Sequence, residues 1–334
     1  MPRIEQSDWL ETFVAVAELG SFSGAAVLVR RSQSRVSAHV AALETALGTP
    51  LVDRRHRPVG LTDAGEVFLP FARRALAAQE EGAAAVDSLT GVSRGRVVVG
   101  AHPSVSAGFL PQVLTGFLDA HPGVRVELSE GTTVGLIDGI CSGRFHLAIS
   151  STTGSSSTGL VRHLLWREPY VVAVPADHPL TSSSLPLRPE QLALTPLIVI
   201  ARPGSGVDPD TGSALARWAL APEVAWRTEQ PQTLANLVKA GLGVGLINRF
   251  AMDVCETTGL AVLQVGSIAE GRTVALWRDP ARYMSAATRS LHRTILDAPR
   301  PPGTFRVEPD SEALSSTSGE ASPPPRTTRT TVPG

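Results

Sequence analysis

Along the first ninety positions, apolar residues recur at helical spacing in short blocks. Trp9, Leu10, Phe13, Val14, Val16, Ala17 and Leu19 form one stripe, which ends at Gly20. Ser21 and Ser23 are cap candidates for a second helix carrying Ala25, Ala26, Leu28 and Val29. Ser32 can cap a third, in which Val36, Val40, Leu43 and Leu47 share a narrow face. A rotation of about 100° per residue turns Ser34, Ala38, Ala41 and Ala42 to the opposite side, with Ser37 and Gln33 on the flank. That outer face is small and polar, so nothing bulky stops close approach to another surface. Two short helices a few residues apart, the second with an open polar face, make a helix-turn-helix pattern.

Past Gly48-Thr49-Pro50, two short extended runs at 51–54 and 59–61 flank Arg55-His56-Arg57-Pro58, which predicts a two-stranded wing with a basic tip. Thr62 or Asp63 can cap a further helix, with Asp63 and Glu66 as a capping box. Its stripe of Val67, Phe68, Phe71, Ala75, Leu76, Ala78, Ala83, Val86 and Leu89 runs to about Thr90, too long and alanine-rich to serve only its own domain. Residues 91–95 read as a hinge.

Beyond the hinge, strand and helix patterns alternate, which argues for an α/β domain. Strands are expected at 96–101, 124–128, 146–149, 160–166, 169–174, 197–200, 224–227, 243–247 and 273–277. Helices are expected at 105–120, 134–141, 212–220, 233–239 and 284–296. A Gly- and Ser-rich link spans 151–159. Residues 299–334 are rich in Pro, Ser and Thr with little to bury, and are expected to be a disordered tail.

Composition adds three limits. The 334 residues, 43% of them hydrophobic, can fill a small core and a larger one. The net charge of −1 means that any nucleic-acid surface must be local. It is: residues 30–57 hold six arginines against Glu44 and Asp53, the patch that phosphate neutralisation needs. Lys239 is the only lysine, so the basic chemistry is that of guanidinium groups. Cys141 and Cys255 have neither disulfide-framework nor metal-ligand spacing and read as buried, reduced thiols. The histidines show no metal-ligand pairing, and no cofactor is expected. No apolar run reaches the roughly 18 residues of a membrane span, and residues 1–7 carry no signal-peptide core. A cytoplasmic location with no membrane partner is the simplest expectation.

Residues 17–26 (Ala-Glu-Leu-Gly-Ser-Phe-Ser-Gly-Ala-Ala), Ser32-Gln33, Val36-Ser37, Leu43-Glu44, Leu47-Gly48, Pro50-Leu51 and Leu61-Thr62-x-Ala64-Gly65 resemble the winged helix-turn-helix of LysR-type transcriptional regulators, without gaps over residues 8–75. Two departures stand out. Ser34 replaces a common Pro, and Ala38 replaces a common Arg, removing a bidentate base reader. The resemblance implies DNA contacts by Ser23, Arg31, Ser32, Gln33, Ser34, Arg35, Ser37, Arg54, Arg55 and Arg57. Gln33, Ser34 and Ser37 are expected at base edges, and Arg35 and the wing arginines on phosphates or in the minor groove. It also implies that residues 63–92 form a linker helix pairing with a second subunit, so that a homodimer or homotetramer binds an interrupted inverted repeat in double-stranded promoter DNA. RNA polymerase is a further partner it allows.

The larger domain matches the same family at Gly100-x-x-x-Ser104, Phe109-Leu110-Pro111, Phe117-x-x-x-His121-Pro122-Gly123-Val124, Asp177-His178-Pro179-Leu180 and Val238-x-Ala240-Gly241-x-Gly243-Val244. The implied architecture is α/β throughout: a winged helix-turn-helix at 1–62, a linker helix at 63–92, and a two-lobed effector domain at 93–298 with a periplasmic-binding-protein-like fold. Lobe one is expected at about 94–161 and 266–298, and lobe two at about 162–265. Ligands of open α/β sheets bind at the carboxyl ends of strands. Ser104, Thr132, Thr133, Arg202, Ser205 and Gln230 are placed to meet a small anionic effector, and Ser104, Thr132 and Thr133 can equally be helix caps.

Asp208-Pro209-Asp210 reads as a loop and helix start. Gly241-Leu242-Gly243-Val244-Gly245 enters a strand rather than a helix, the wrong order for a dinucleotide site. The sequence therefore describes a ligand-responsive DNA-binding regulator and no enzyme. The alternatives are a small-molecule binding protein with an N-terminal interaction module, and an enzyme on the same two-lobe fold.

Overall fold

The computed structural model describes residues 7–89, 95–154, 159–201 and 206–307. Ser7–Leu19 (α1), Phe22–Leu28 (α2) and Gln33–Leu47 (α3) form the N-terminal bundle. The expected caps are made: Ser21 Oγ accepts from the Gly24 N–H at 3.1 Å, and Ser32 Oγ from the Arg35 N–H at 3.3 Å. Phe13, Val16, Ala25, Val36, Val40, Leu43 and Leu51 close its core. Val52–Asp53 (β1) pairs antiparallel with Gly60–Leu61 (β2) to form the wing. Gly20 fixes the wing against the bundle. It sits at φ 59°, where a Cβ would stand 2.9 Å from Pro58, and its carbonyl accepts from the Val59 N–H at 2.8 Å.

Asp63–Leu89 (α4) is the long helix. Thr62, and not Asp63, caps it: Thr62 Oγ1 accepts from the Gly65 N–H at 3.1 Å and donates to the Pro50 carbonyl at 2.7 Å. Asp63 is the first helical residue, one position too late to head a capping box. Val67 and Phe71 are exposed along α4, at 69% and 56%.

Two five-stranded sheets follow. The first has order β4-β3-β5-β12-β6. Its strands are Gly95–Ala101 (β3), Val124–Glu130 (β4), Leu147–Ser151 (β5), Val161–Glu168 (β6) and Arg272–Arg278 (β12). Pro103–Gly108 (α5), Leu110–Ala120 (α6), Thr133–Cys141 (α7) and Ala286–Asp297 (α11) accompany it. The second has order β11-β7-β10-β8-β9. It comprises Tyr170–Pro175 (β7), Leu197–Ile200 (β8), Val224–Thr228 (β9), Val244–Asn248 (β10) and Leu260–Gln264 (β11), with Pro209–Arg217 (α8), Pro231–Lys239 (α9) and Arg249–Asp253 (α10). In each sheet three neighbouring strands run parallel, and all of these strands but β5 lead on into helices.

Several expectations need correction. The strand expected to open lobe two, now β6, pairs antiparallel with β12 in the lobe-one sheet. The first crossing therefore falls at Pro169, between the paired residue Glu168 and the first residue of β7. The single helix expected at 105–120 is two, broken at Phe109, where Gly108 lies so close to Val254 that a Cβ would approach it to 2.4 Å. Strand β11 was not foreseen. Cys141 is exposed and Cys255 half-buried, rather than both being buried. The chain also stays ordered past 299: Phe305 and Arg167 exchange two backbone bonds of 2.8 Å, closing the open edge of β6. The rest of the expected tail, from 308, lies outside the described residues, as do positions 91–94 of the expected hinge and 155–158 of the expected link.

Candidate functional site

Two places gather the residues singled out above. In the first, α3 and the wing bound a groove lined by Gln33, Ser34, Ser37, Arg54, His56 and Arg57, with Phe22 and Val59 behind. Gln33, Ser34, Arg35 and Ala38 are exposed, while Val36, His39, Val40 and Leu43 are buried, so α3 presents its polar face outward. The side chains of this face are held. Ser23 Oγ donates to Gln33 Oε1 at 3.1 Å, and Ser32 and Ser34 hydroxyls lie 3.0 Å apart. Arg35 Nε donates to His39 Nε2 at 3.0 Å.

The arginines are mostly paired. Arg31 meets Asp8 at 3.3 Å, and Arg54 meets Glu44 at 3.4 Å while lying 5.0 Å over the Phe22 ring. Arg55 grips Asp53 through two bonds, Nε to Oδ1 at 2.9 Å and Nη2 to Oδ2 at 2.7 Å. That grip holds the Asp53 carboxyl well below the usual range. Arg57 is exposed at the wing tip.

The second place is a cavity of about 400 Å³ between the two lobes. Strand ends build it. β3 delivers His102 and Ser104, β4 delivers Glu130 and the Thr132–Thr133 start of α7, and β8 to β10 deliver Ala201, Glu229–Gln230 and Asn248. Thr132 is a cap, its Oγ1 accepting from the Gly135 N–H at 3.4 Å, and it also lines the cavity. Ser104 is buried and lies 3.4 Å from Arg272 Nη2.

At the back, Arg272 faces the wholly buried Glu168, Nη2 to Oε2 at 2.8 Å. Asn248 of the other lobe donates to the same carboxylate oxygen, and Trp166 Nε1 donates to Oε1 at 2.7 Å. Burial pulls the guanidinium down, but Glu168 and Asp210 outweigh it and hold Arg272 protonated. Burial, aided by the Arg272 charge, takes His102 down to about 3. Its imidazole is therefore neutral, and Nε2 accepts from the Ser151 N–H at 3.2 Å.

The N-terminal residues 7–66 match the model of the bacterial regulatory helix-turn-helix proteins of the lysR family, and residues 90–300 match that of the LysR substrate binding domain. The chain belongs to the LysR family. It is a ligand-responsive, DNA-binding transcriptional regulator of that type, and its second domain is the effector-binding one. A probable hydrogen peroxide-inducible genes activator of Mycobacterium avium is 32% identical over 80% of this chain and 86% of its own length. The regulator TtuA of Agrobacterium vitis is 30% identical over 82% and 92%. Full-length CbnR in complex with its target DNA shares the fold, with a TM-score of 0.62 at 20% identity over 87% of this chain and 99% of that one.

In this LysR-family regulator, Gln33, Ser34, Ser37, Arg54 and Arg57 share one groove, and Ser23, Ser32, Arg35 and Arg55 adjoin its residues. Arg31 pairs with Asp8 of α1. Ser104, Thr132, Thr133 and Gln230 share the interlobe cavity. Arg202 and Ser205 lie outside the described residues. Sequence reasoning missed His102, Glu130, Tyr170, Asp208, Asp210, Glu229, Asn248 and Arg272 as lining residues. Only the Asp208-Pro209-Asp210 run carried a local signal, as a helix start. Among the described residues no helix is long and apolar enough to cross a membrane.

Proposed function

We propose that α3 enters the major groove of promoter DNA, with Gln33, Ser34 and Ser37 at base edges and Arg35, Arg54, Arg55 and Arg57 on phosphates. Paired subunits, as a homodimer or a dimer of dimers, present two such helices to an interrupted inverted repeat. The observation that carries this reading is the single groove shared by the polar face of α3 and the arginine-bearing wing. A small metabolite in the interlobe cavity, touched by Ser104, Thr132, Thr133 and Gln230, biases the assembly through its different affinity for two states of it. No catalysis is assigned to that cavity, and the regulator acts in the cytoplasm.

Peroxide sensing, suggested by the names of relatives, finds no support in the thiols. Neither cysteine lines the cavity. Burial, with Asp138 adding to it at Cys141, pushes both thiols above their usual range, away from the reactive thiolate.

A gel-shift titration with the gene's own upstream region tests the regulator reading. The expected result is a sequence-preferring complex whose affinity falls steeply with salt, by about a thousandfold or more between low and physiological ionic strength. A complex insensitive to salt, or none, overturns it.

A further inference from the structure

We infer that residues 301–307 form a strap that clamps α10, the pivot between the two lobes, and so limits how far the lobes move about the cleft. Its regulatory meaning rests on reading the domain as a two-lobed effector sensor. Helix α10 follows β10 of lobe two, yet it is seated in lobe one. Phe250 is buried in the lobe-one core with Phe109 and Trp166, its ring 6.0 Å from that of Trp166. Gly108 of α5 lies so close that a Cβ would stand 2.4 Å from Val254 and 2.7 Å from Phe250. The Arg249 N–H donates at 2.8 Å to the carbonyl of Pro169, the residue of the first crossing. Rotating lobe two about Pro169 therefore draws a large aromatic out of the lobe-one core.

The strap holds the next face of α10. After α11 the chain turns tightly over Pro301–Thr304. Pro302 takes the second place of the turn and Gly303, at φ 73°, the third, as a type II turn requires. The Thr304 N–H and hydroxyl both donate to the Pro301 carbonyl, at 3.3 and 2.7 Å. The turn rests on α10: a Cβ on Gly303 would stand 3.3 Å from Asp253 Oδ2 and 3.8 Å from Arg249 Cγ. Those two side chains are themselves bonded, Nε to Oδ1 at 2.7 Å. Arg249 and Asp253 share a face about 100° round the helix from Phe250 and Val254. Helix α10 is thus gripped by the lobe-one core on one face and by the strap on its neighbour.

The far end of the strap is fixed to lobe one. Phe305 and Arg167 exchange their two 2.8 Å bonds as a closely spaced antiparallel pair. Arg167 stands two residues before Pro169 and pairs on its other side with Thr273 of β12, to whose Oγ1 its Nε donates at 3.3 Å. The strap therefore engages the strand that leaves lobe one and, through Arg167, the strand that returns to it. Phe305 is 38% exposed, so backbone pairing rather than side-chain burial makes the attachment. The stretch that matches the LysR substrate binding domain ends at residue 300, so the clamp is built from chain that lies past the matched domain.

Amide hydrogen exchange read by mass spectrometry tests this on the full chain, on chains ended after Arg300 and after Pro309, and on full-length Phe305→Pro, which lacks the N–H that the Arg167 carbonyl accepts. The expected result is that peptides covering Arg167 and residues 249–253 exchange at least about tenfold faster in the chain ended after Arg300 and in Phe305→Pro than in the full chain. The chain ended after Pro309 matches the full chain, and β4, at the opposite edge of the lobe-one sheet, is unchanged throughout. Unchanged protection of 249–253 in Phe305→Pro, an equal acceleration in β4, or a chain ended after Pro309 that exchanges as fast as the shorter one overturns the proposal. If the shorter chain does not fold, Phe305→Pro decides alone. A gel shift of the full-length protein on the gene's own upstream region reads DNA binding separately. Failure there with strap-dependent protection would sink the proposed docking on promoter DNA and leave the clamp standing.

Discussion

At the scale of single residues, the DNA-facing surface is short of long base readers. Ala38 is exposed on α3 in a position that faces outward, yet it offers only a methyl group. On the proposed docking, discrimination falls on Gln33, whose amide accepts from the Ser23 hydroxyl. Gln33→Ala should relax preference at particular base pairs by about 1–3 kcal/mol, read from binding to a set of single-substituted sites. Ser23→Ala should reproduce part of that loss, since it frees the amide to turn. A uniform weakening across all sites would place Gln33 on the backbone instead. The arginines behave differently because acids already hold three of them. On the proposed docking, phosphates would have to displace Asp8, Glu44 and Asp53 from Arg31, Arg54 and Arg55, whereas Arg57 stands at the wing tip with its side chain exposed. Arg57→Ala should therefore lower the slope of log affinity against log salt by about 1. An unchanged slope would remove Arg57 from the phosphate contacts.

At the scale of elements, legibility followed locality. The caps of α2 and α3 and the face of α3 were readable because spacing and capping act within one turn of chain. The assignment of β6 to a lobe was not, because its partner β12 lies about a hundred residues away and only the long-range ladder from Arg272↔Glu168 to Arg278↔Val161 decides it. The break at Phe109 was hidden for the same reason: apolar spacing continues through it, and the packing of Gly108 on Phe250 and Val254 is tertiary. Strand β11 had a local signal, the apolar run after Gly259, that went unused. The long helix α4 was legible apart from its capping box, including the stripe its own chain leaves uncovered. Val67, Phe71 and Val86 are 69%, 56% and 63% exposed, an apolar surface that a second copy of α4 would bury. Phe71→Glu combined with Val67→Glu should raise the dimer dissociation constant at least about tenfold, as loss of a central aromatic anchor does. Light scattering on the eluting protein would report it, together with a parallel loss of DNA affinity. An unaltered oligomer would move the pairing surface off this stripe.

At the scale of the whole molecule, the two lobes meet through buried polar links rather than through apolar packing alone. Asn248 and Arg272 come from different sheets and converge on Glu168, and Ser151 reaches across to Asp210. The sequence announced Ser104, Thr132 and Thr133 of this cleft, since each follows a strand at the start of a helix. It could not announce Arg272, which reads as an ordinary residue of a late strand until the chain has crossed back. Four histidines that burial wholly or partly withdraws from water, His102, His146, His163 and His292, contribute to the response to acid. Burial, with Arg272 adding to it, holds His102 down to about 3, and burial with Arg282 holds His146 down to about 4. The same cause lowers His163 and His292, whose rings meet edge to face at 5.1 Å. Each folded value lies below that of an unfolded histidine, about 6.5, so the unfolded chain binds more protons as the medium acidifies. Stability contributed by the neutral rings is therefore complete above about pH 6.5 and is lost as pH falls towards the folded values, each site contributing at most about 1.4 kcal/mol per pH unit. Urea unfolding at a series of pH values should show a plateau above neutrality and a decline below it. His102→Gln retains an acceptor for the Ser151 N–H and removes one titrating ring. It should make that decline shallower, and an equally steep decline would mean that His102 is not among the groups that set it.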